Sequence, residues 1–201
     1  MFKPPPEILE ADYPVFKPAH DVGEWARSVF IDPDGPLSNP DHDHLNLATI
    51  LFVWSSHTFK SQGRVVAATA QTGSQRGGGP GKKEWQESLY YEWHGGALPT
   101  FVITLCAPFF IEADPTSVCS VIEHELYHCG QAMDRHGEPI YIDGMPRFTM
   151  RGHDVEEFIG VVQRYGAVHP SMIELQRALN SPPEISSAKV SDVFCGCGAR
   201  L

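Results

Sequence analysis

Residues 114–133 read D-P-T-S-V-C-S-V-I-E-H-E-L-Y-H-C-G-Q-A-M, and His124-Glu125-Leu126-Tyr127-His128 within them is the pattern H-E-x-x-H. Asp114 followed by Pro115 is a helix start: Asp accepts from the free N–H groups of the first turn, and the missing N–H of Pro costs nothing there. The run Ser117–Met133 is then expected to be helical. On a helix, residues i and i+4 project from one face a turn apart, so His124 and His128 can both reach one tetrahedral Zn²⁺, with Glu125 flanking the metal. Val118, Val121, Ile122, Cys129 and Ala132 cluster beside that face. The helix is therefore expected to be largely buried, and two imidazoles and a carboxylate on so apolar a helix are costly unless something pairs with them.

A catalytic zinc site has three protein ligands and keeps a fourth position for water. The third is expected downstream, in Gly152-His153-Asp154-Val155-Glu156-Glu157-Phe158. These residues are read as the head of a second helix, Asp154–Tyr165, with Val155, Phe158, Ile159 and Val162 as its inward face. Asp154 and Glu157 fit a capping box, which would leave His153 free to ligate. Glu157 is the alternative, since two His plus a Glu is an equally sound set, and Glu156 or Asp154 complete the candidates.

Working outward, Leu47–Trp54 and Arg64–Ala70 read as an antiparallel strand pair turning at Ser61-Gln62-Gly63, and Thr100–Cys106 (TFVITLC) as a third strand. Phe101–Leu105 would be a substrate platform if it lay at a sheet edge, where an extended peptide can add as a further strand. Asp21–Phe30 and Lys82–Trp93 have helical spacing, the latter stopping at Gly95-Gly96. Ile140–Met145 reads as a hairpin turning at Asp143-Gly144. Gly73–Gly81 (GSQRGGGPG) lacks the spacing of a phosphate-binding loop and reads as a connector. The expected fold class is α+β: a small mixed β-sheet packed against the H-E-x-x-H helix and a second ligand-bearing helix. Its expected divisions are a Pro-rich N-terminal arm and short helix over 1–40, the principal domain over 41–180, and a tail over 181–201 with Cys195-Gly196-Cys197. The prolines at 4, 5, 6, 14 and 18 are read as holding that arm extended on the surface, outside the core.

The chain has 15 Lys+Arg against 25 Asp+Glu, a formal charge of −10, with the cations scattered. Phosphate binding needs a clustered basic surface, so nucleic acid is not an expected partner. No apolar run reaches the roughly 18–20 residues of a membrane span, and no membrane partner is expected. Five cysteines, three of them in apolar segments, argue for small hydrophobes in a reducing compartment and against a disulfide framework. Among other candidates, Tyr127 and Tyr141 could donate to a developing oxyanion or simply pack. Asp41-His42-Asp43-His44 could hold a second metal or form a solvated turn and helix cap. Asp134 and His136 could support an imidazole N–H or belong to a polar helix end.

Three segments in order, FVITLCAPFF, VIEHELYHCG and RGHDVEEFIGVVQRYG, resemble the metallopeptidase family of bacteriophages and prophages, a zincin group, over about half the chain. The segment after His153 is also similar to the third-ligand region of SprT-like zincins, where a histidine ligates, with one extra residue before Phe158. The resemblance implies a zincin domain, in the host cytoplasm or associated with the virion, that hydrolyses peptide bonds. Its Zn²⁺ would lie on His124, His128 and His153 or Glu157, with Glu125 as general base and a peptide or protein as substrate. Other phage proteins are expected partners through the N-terminal arm. The rival expectation is a virion or assembly component that keeps a zinc-binding zincin fold for a structural role.

Overall fold

The computed structural model describes residues 3–61, 64–74, 81–156, 158–167, 169–186 and 189–190. The chain opens with a helical turn, α1 (Pro6–Leu9), and a short strand, β1 (Phe16–Pro18). Helix α2 (His20–Ala26) widens into one π-type turn over Arg27–Ile31, and a 3₁₀ segment follows over Pro40–Leu47. Strand β2 (Ile50–Ser55), a small hairpin of β3 (Phe59–Ser61) and β4 (Arg64–Val66), and β5 (Ala68–Thr72) lead to helix α3 (Lys82–Trp93). Strand β6 (Phe101–Cys106) runs directly into helices α4 (Ala107–Glu112) and α5 (Pro115–His128). Strand β7 (Cys129–Gln131), a hairpin of β8 (Tyr141–Ile142) and β9 (Met145–Pro146), and β10 (Phe148–Met150) precede helices α6 (Ile159–Tyr165) and α7 (Pro170–Leu179).

The main sheet is mixed, in the order β1-β2-β6-β5: β2 and β6 are parallel, and the outer pairs antiparallel. The expected pairing of Leu47–Trp54 with Arg64–Ala70 does not form, because β6 lies between β2 and β5. The reason lies in the side chains. All six residues of β6 are buried, so it suits a strand covered on both faces, whereas β5, ATAQT, has polar residues that suit an edge. Phe59–Ser61 and Arg64–Val66, on either side of the expected turn, pair instead as the separate β3–β4 ladder.

Alternation along the strands divides the core in two. Phe52 and Trp54 of β2 join Phe101, Ile103 and Leu105 of β6 against Trp25, Phe30, Ile122 and Leu126. On the opposite face Leu51, Val53 and Val102 pack on Tyr90 and Trp93 of α3. The sheet is thus a middle layer between α3 and the α2–α5 side. The N-terminal stretch, expected as a surface arm, contributes to this core: β1 pairs with β2, and Ile8 is fully buried. Cys106, Cys119 and Cys129 are free and buried, as small hydrophobes. Among the described residues, no helix is long and apolar enough to cross a membrane.

Candidate metal centre

Helix α5 begins as its sequence demands. Asp114 accepts from the N–H groups of Thr116 (2.9 Å) and Ser117 (3.1 Å), a cap worth about 1 kcal/mol. Val118, Cys119, Ile122 and Leu126 are buried. That burial fixes the helix's rotation, so His124 and His128 project together. The helix ends at His128 rather than at Met133, because Cys129–Gln131 leave it to pair with β10.

This pairing brings in the third histidine. Cys129, Gly130 and Gln131 align with Met150, Thr149 and Phe148, and the ladder ends in a reciprocal pair. The Arg151 N–H donates to the His128 carbonyl (2.9 Å), and the His128 Nδ1–H donates to the Arg151 carbonyl (2.7 Å). Two residues later, His153 Nε2 lies 3.2 Å from His124 Nε2, and His128 Nε2 also lies 3.2 Å from His124 Nε2. The ligand atoms of the three histidines all fall within 4.8 Å of one another, and no other such cluster occurs among the described residues.

The donor set fits a metal ion. With Nδ1 of His128 committed to a carbonyl, its Nε2 presents a lone pair to the cluster. Lone pairs at this separation repel unless a cation or proton lies between them. Two nitrogens bound at about 2.0–2.1 Å to one tetrahedral ion stand about 3.3–3.4 Å apart, close to the observed spacing. Burial lowers the pKa of His124, reinforced by His128 and His153, so its neutral, metal-binding form is favoured. His153 Nδ1 has the Glu156 carboxylate 3.5 Å away, beside the ring and away from the cluster.

Glu125 is buried beside this group, at 5% exposure. Burial pushes its carboxyl up to about 7, opposed by the nearby His128 and by the backbone N–H of Ala70. Ala70 is on β5, which ends the sheet. Gly73 N–H donates to the Thr100 carbonyl just before β6, and the Ala67 carbonyl accepts from Cys106 of β6, so the alternating groups of Ala68, Ala70 and Thr72 lie on the side away from β6. The platform expected at Phe101–Leu105 is therefore misplaced: β6 is internal and β5 is the edge.

The remaining candidates sort by contact. Residues 153–156 are not helical. Helix α6 starts after Phe158, and Asp154 accepts from Arg151 Nη2 at 2.8 Å in place of a capping box. The expected inward face is split: Val155 and Val162 are half-buried, while Phe158 and Ile159 are 81% and 76% exposed. Glu157, residues 75–80 of the glycine-rich loop and Cys195/Cys197 lie outside the described residues. Tyr127 flanks the histidine cleft, with its hydroxyl 2.9 Å from Asn39 Nδ2 and donating to Asp41 Oδ2 at 3.0 Å. His42 is not in a solvated turn: it is fully buried with neither ring nitrogen hydrogen-bonded, its ring edge-on to Tyr127 and Nε2 3.8 Å from Glu123. His44 Nε2 meets the Cys129 carbonyl at 2.7 Å. Asp134 accepts from the N–H groups of His136 and Glu138 in its own turn, and Tyr141 is exposed. The Asp143-Gly144 turn forms as read, both residues having positive φ. The sequence reading missed Arg151 and Gly130, which connect α5 to the His153 segment. Only Gly130, just after the motif helix, left a trace in the pattern.

A mixed α+β domain with three convergent imidazoles on a helix and an adjoining loop defines a protein that could hold one metal ion. The family model described as "Putative phage metallopeptidase" matches residues 23–182, and the chain belongs to that family. No curated protein and no solved structure matches it.

Proposed function

We propose that the chain is a zinc-dependent peptidase with a zincin-like centre: His124, His128 and His153 hold the ion, and Glu125 is the general base. The observation that carries this reading is the convergence of three Nε2 atoms beside a buried carboxylate on the same helix. When bound, zinc supplies Lewis-acid polarisation of the scissile carbonyl and acidifies water. The chain's own groups do the rest. Glu125, held near neutrality by burial, takes a proton from the attacking water and passes it to the leaving amine. The Arg151 carbonyl holds His128 in the tautomer that leaves Nε2 free. The unpaired side of β5 offers backbone groups of Ala68 and Thr72 and the Ala70 carbonyl to an extended peptide, which would lie next to Glu125, whose carboxylate takes the Ala70 N–H.

The substrate is a peptide or protein, and the site of action is the host cytoplasm or the virion. Other phage proteins would be met through the N-terminal residues. The test is to measure bound zinc by native mass spectrometry and then to incubate wild type and Glu125→Gln with a peptide library. Cleavage by the zinc-loaded wild type alone is the expected result. Zinc binding without any Glu125-dependent cleavage would overturn the peptidase reading and leave a structural zinc protein.

A further inference from the structure

Helices α6 and α7 carry apolar side chains, yet no residue of either is buried. Between them runs a groove of about 450 Å³. Ile159 and Val162 of α6 line it together with Met172, Leu175, Gln176 and Leu179 of α7, and Val155, Gly166 and Ala167 complete the lining, so Gln176 brings its one polar side chain. Ile159 and Leu179 are 76% exposed and Leu175 45%. The four α7 residues recur at i, i+3, i+4 and i+7 and form one stripe; at about 100° per residue, Glu174 and Arg177 fall on the opposite side of the helix. An uncharged apolar stripe of this kind, lying in solvent, marks an interaction site.

We propose that this groove is closed by the same face of a second copy of the chain, in a two-fold dimer. The inference does not depend on the peptidase reading. Three observations select this occupant. The stripe is self-complementary: two copies of α7 laid antiparallel, about an axis between Leu175 and Gln176, set Met172 of each copy against Leu179 of the other, so one patch serves both chains. The face is without charge, like the core of a homodimer interface, and offers nothing to a partner chosen by electrostatics. The area also suffices. With Ile173 and Tyr165 exposed beside it, the face would bury roughly 600 Å² per copy, about 1,200 Å² in all, the lower limit for a specific interface. Association at that limit is expected to be weak, with a micromolar Kd.

The test is sedimentation equilibrium on the full 201-residue chain from about 1 to about 100 µM, in reducing buffer so that no intermolecular disulfide supplies the association. The mass should pass from 22.3 kDa to twice that value, with a midpoint on the order of 10 µM. A chelator should not change this, since none of the three clustered histidines lines the groove; loss of zinc binding and loss of the dimer are therefore separate results. Leu175→Lys places a charge beside the axis in each copy, and Leu179→Lys places one at the end of the stripe. Both leucines are exposed, so neither replacement needs core space. Each should raise the Kd about 10-fold or more, while Glu174→Lys, on the opposite side of α7, leaves it unchanged. A single-chain mass at about 100 µM overturns the dimer, whether another protein or the chain's own residues then prove to cover the groove. A dimer indifferent to both leucine variants, or weakened as much by Glu174→Lys, overturns it too.

Discussion

His124 and His128 are held by a core, whereas His153 is held by a tether. The first two project from a helix whose opposite side is packed among Ile122, Leu126 and the sheet, and no rearrangement short of unfolding α5 separates them. His153 is in an exposed, non-helical segment, kept in place by the β7–β10 ladder and the reciprocal His128–Arg151 pair. The two arrangements have different costs. Packing gives accuracy but desolvates whatever charge it encloses, as the raised Glu125 shows; tethering leaves charge in water and depends on a few hydrogen bonds.

The largest effect should come from the packed side. Glu125→Gln keeps the shape of the helix and removes the proposed proton acceptor, so turnover on any cleaved peptide should fall by at least 10²–10⁴-fold, measured as kcat/KM. Bound zinc, measured by mass spectrometry, should remain. A variant that lost zinc would show Glu125 to be holding the cluster rather than serving it.

Next come the three clustered histidines, where packed and tethered residues can be compared directly. His128→Ala removes a nitrogen and also the donor to Arg151, whereas His153→Ala removes a nitrogen and an exposed contact to Glu156 and leaves the Arg151 pair intact. Both should weaken zinc binding by 100-fold or more in competition with a chelator, but only His128→Ala should speed amide exchange around Arg151. Equal exchange in the two variants would break the distinction between core and tether.

A smaller effect tests the tether alone. A Cβ on Gly130 would sit 3.0 Å from the Arg151 Cβ and 3.4 Å from the Thr149 carbonyl, so Gly130→Ala must push β10 away. Gly130 is needed here for close approach. The fold should survive, while His153 shifts and zinc affinity falls about 10-fold, the scale of changes to groups that support ligands. Unchanged affinity would show the segment to be adjustable.

The same contrast explains what was legible in the sequence. The Asp114 cap, the i,i+4 histidines and the Asp143-Gly144 turn are local geometry, set within a few residues, and each is found as read. The order of strands is a competition between distant segments, and the doubly buried β6 won the central place that a simple hairpin reading gave to no strand. The residues after His153 carry a good capping pattern, yet Asp154 is taken by Arg151, an ion pair between neighbours on a non-helical segment. The burial of His42 could not be read because it depends on α5 passing over a turn 85 residues earlier in the chain, where it meets Tyr127.

The smallest effect on the centre, and a sharper view of the packed side, comes from titration without metal. Burial acts on two groups there in opposite senses: Glu125 is raised from 4.5 to about 7, and His42 is lowered from 6.5 to about 4. Glu125 therefore contributes stability that is full below pH 4.5 and lost as pH rises through 7. His42 contributes stability that is full above pH 6.5 and lost as pH falls through 4. Each spans up to about 3 kcal/mol, and across pH 4.5–6.5 the two slopes oppose each other. For the metal-free wild type, the fall from Glu125 should be offset in this window by the rise from His42, to which His124, also lowered from 6.5 by burial, adds, so stability from urea denaturation should not fall with pH. Glu125→Gln should unmask a rise with pH, and His42→Phe, which keeps the ring against Tyr127 and removes two unbonded nitrogens, should unmask a fall. Zinc affinity of His42→Phe at pH 7.5 should match wild type, since His42 is not one of the three clustered histidines. If both variants stay flat, burial on this side of the molecule does not set the charge of either group, and the contrast between a costly core and an inexpensive tether fails.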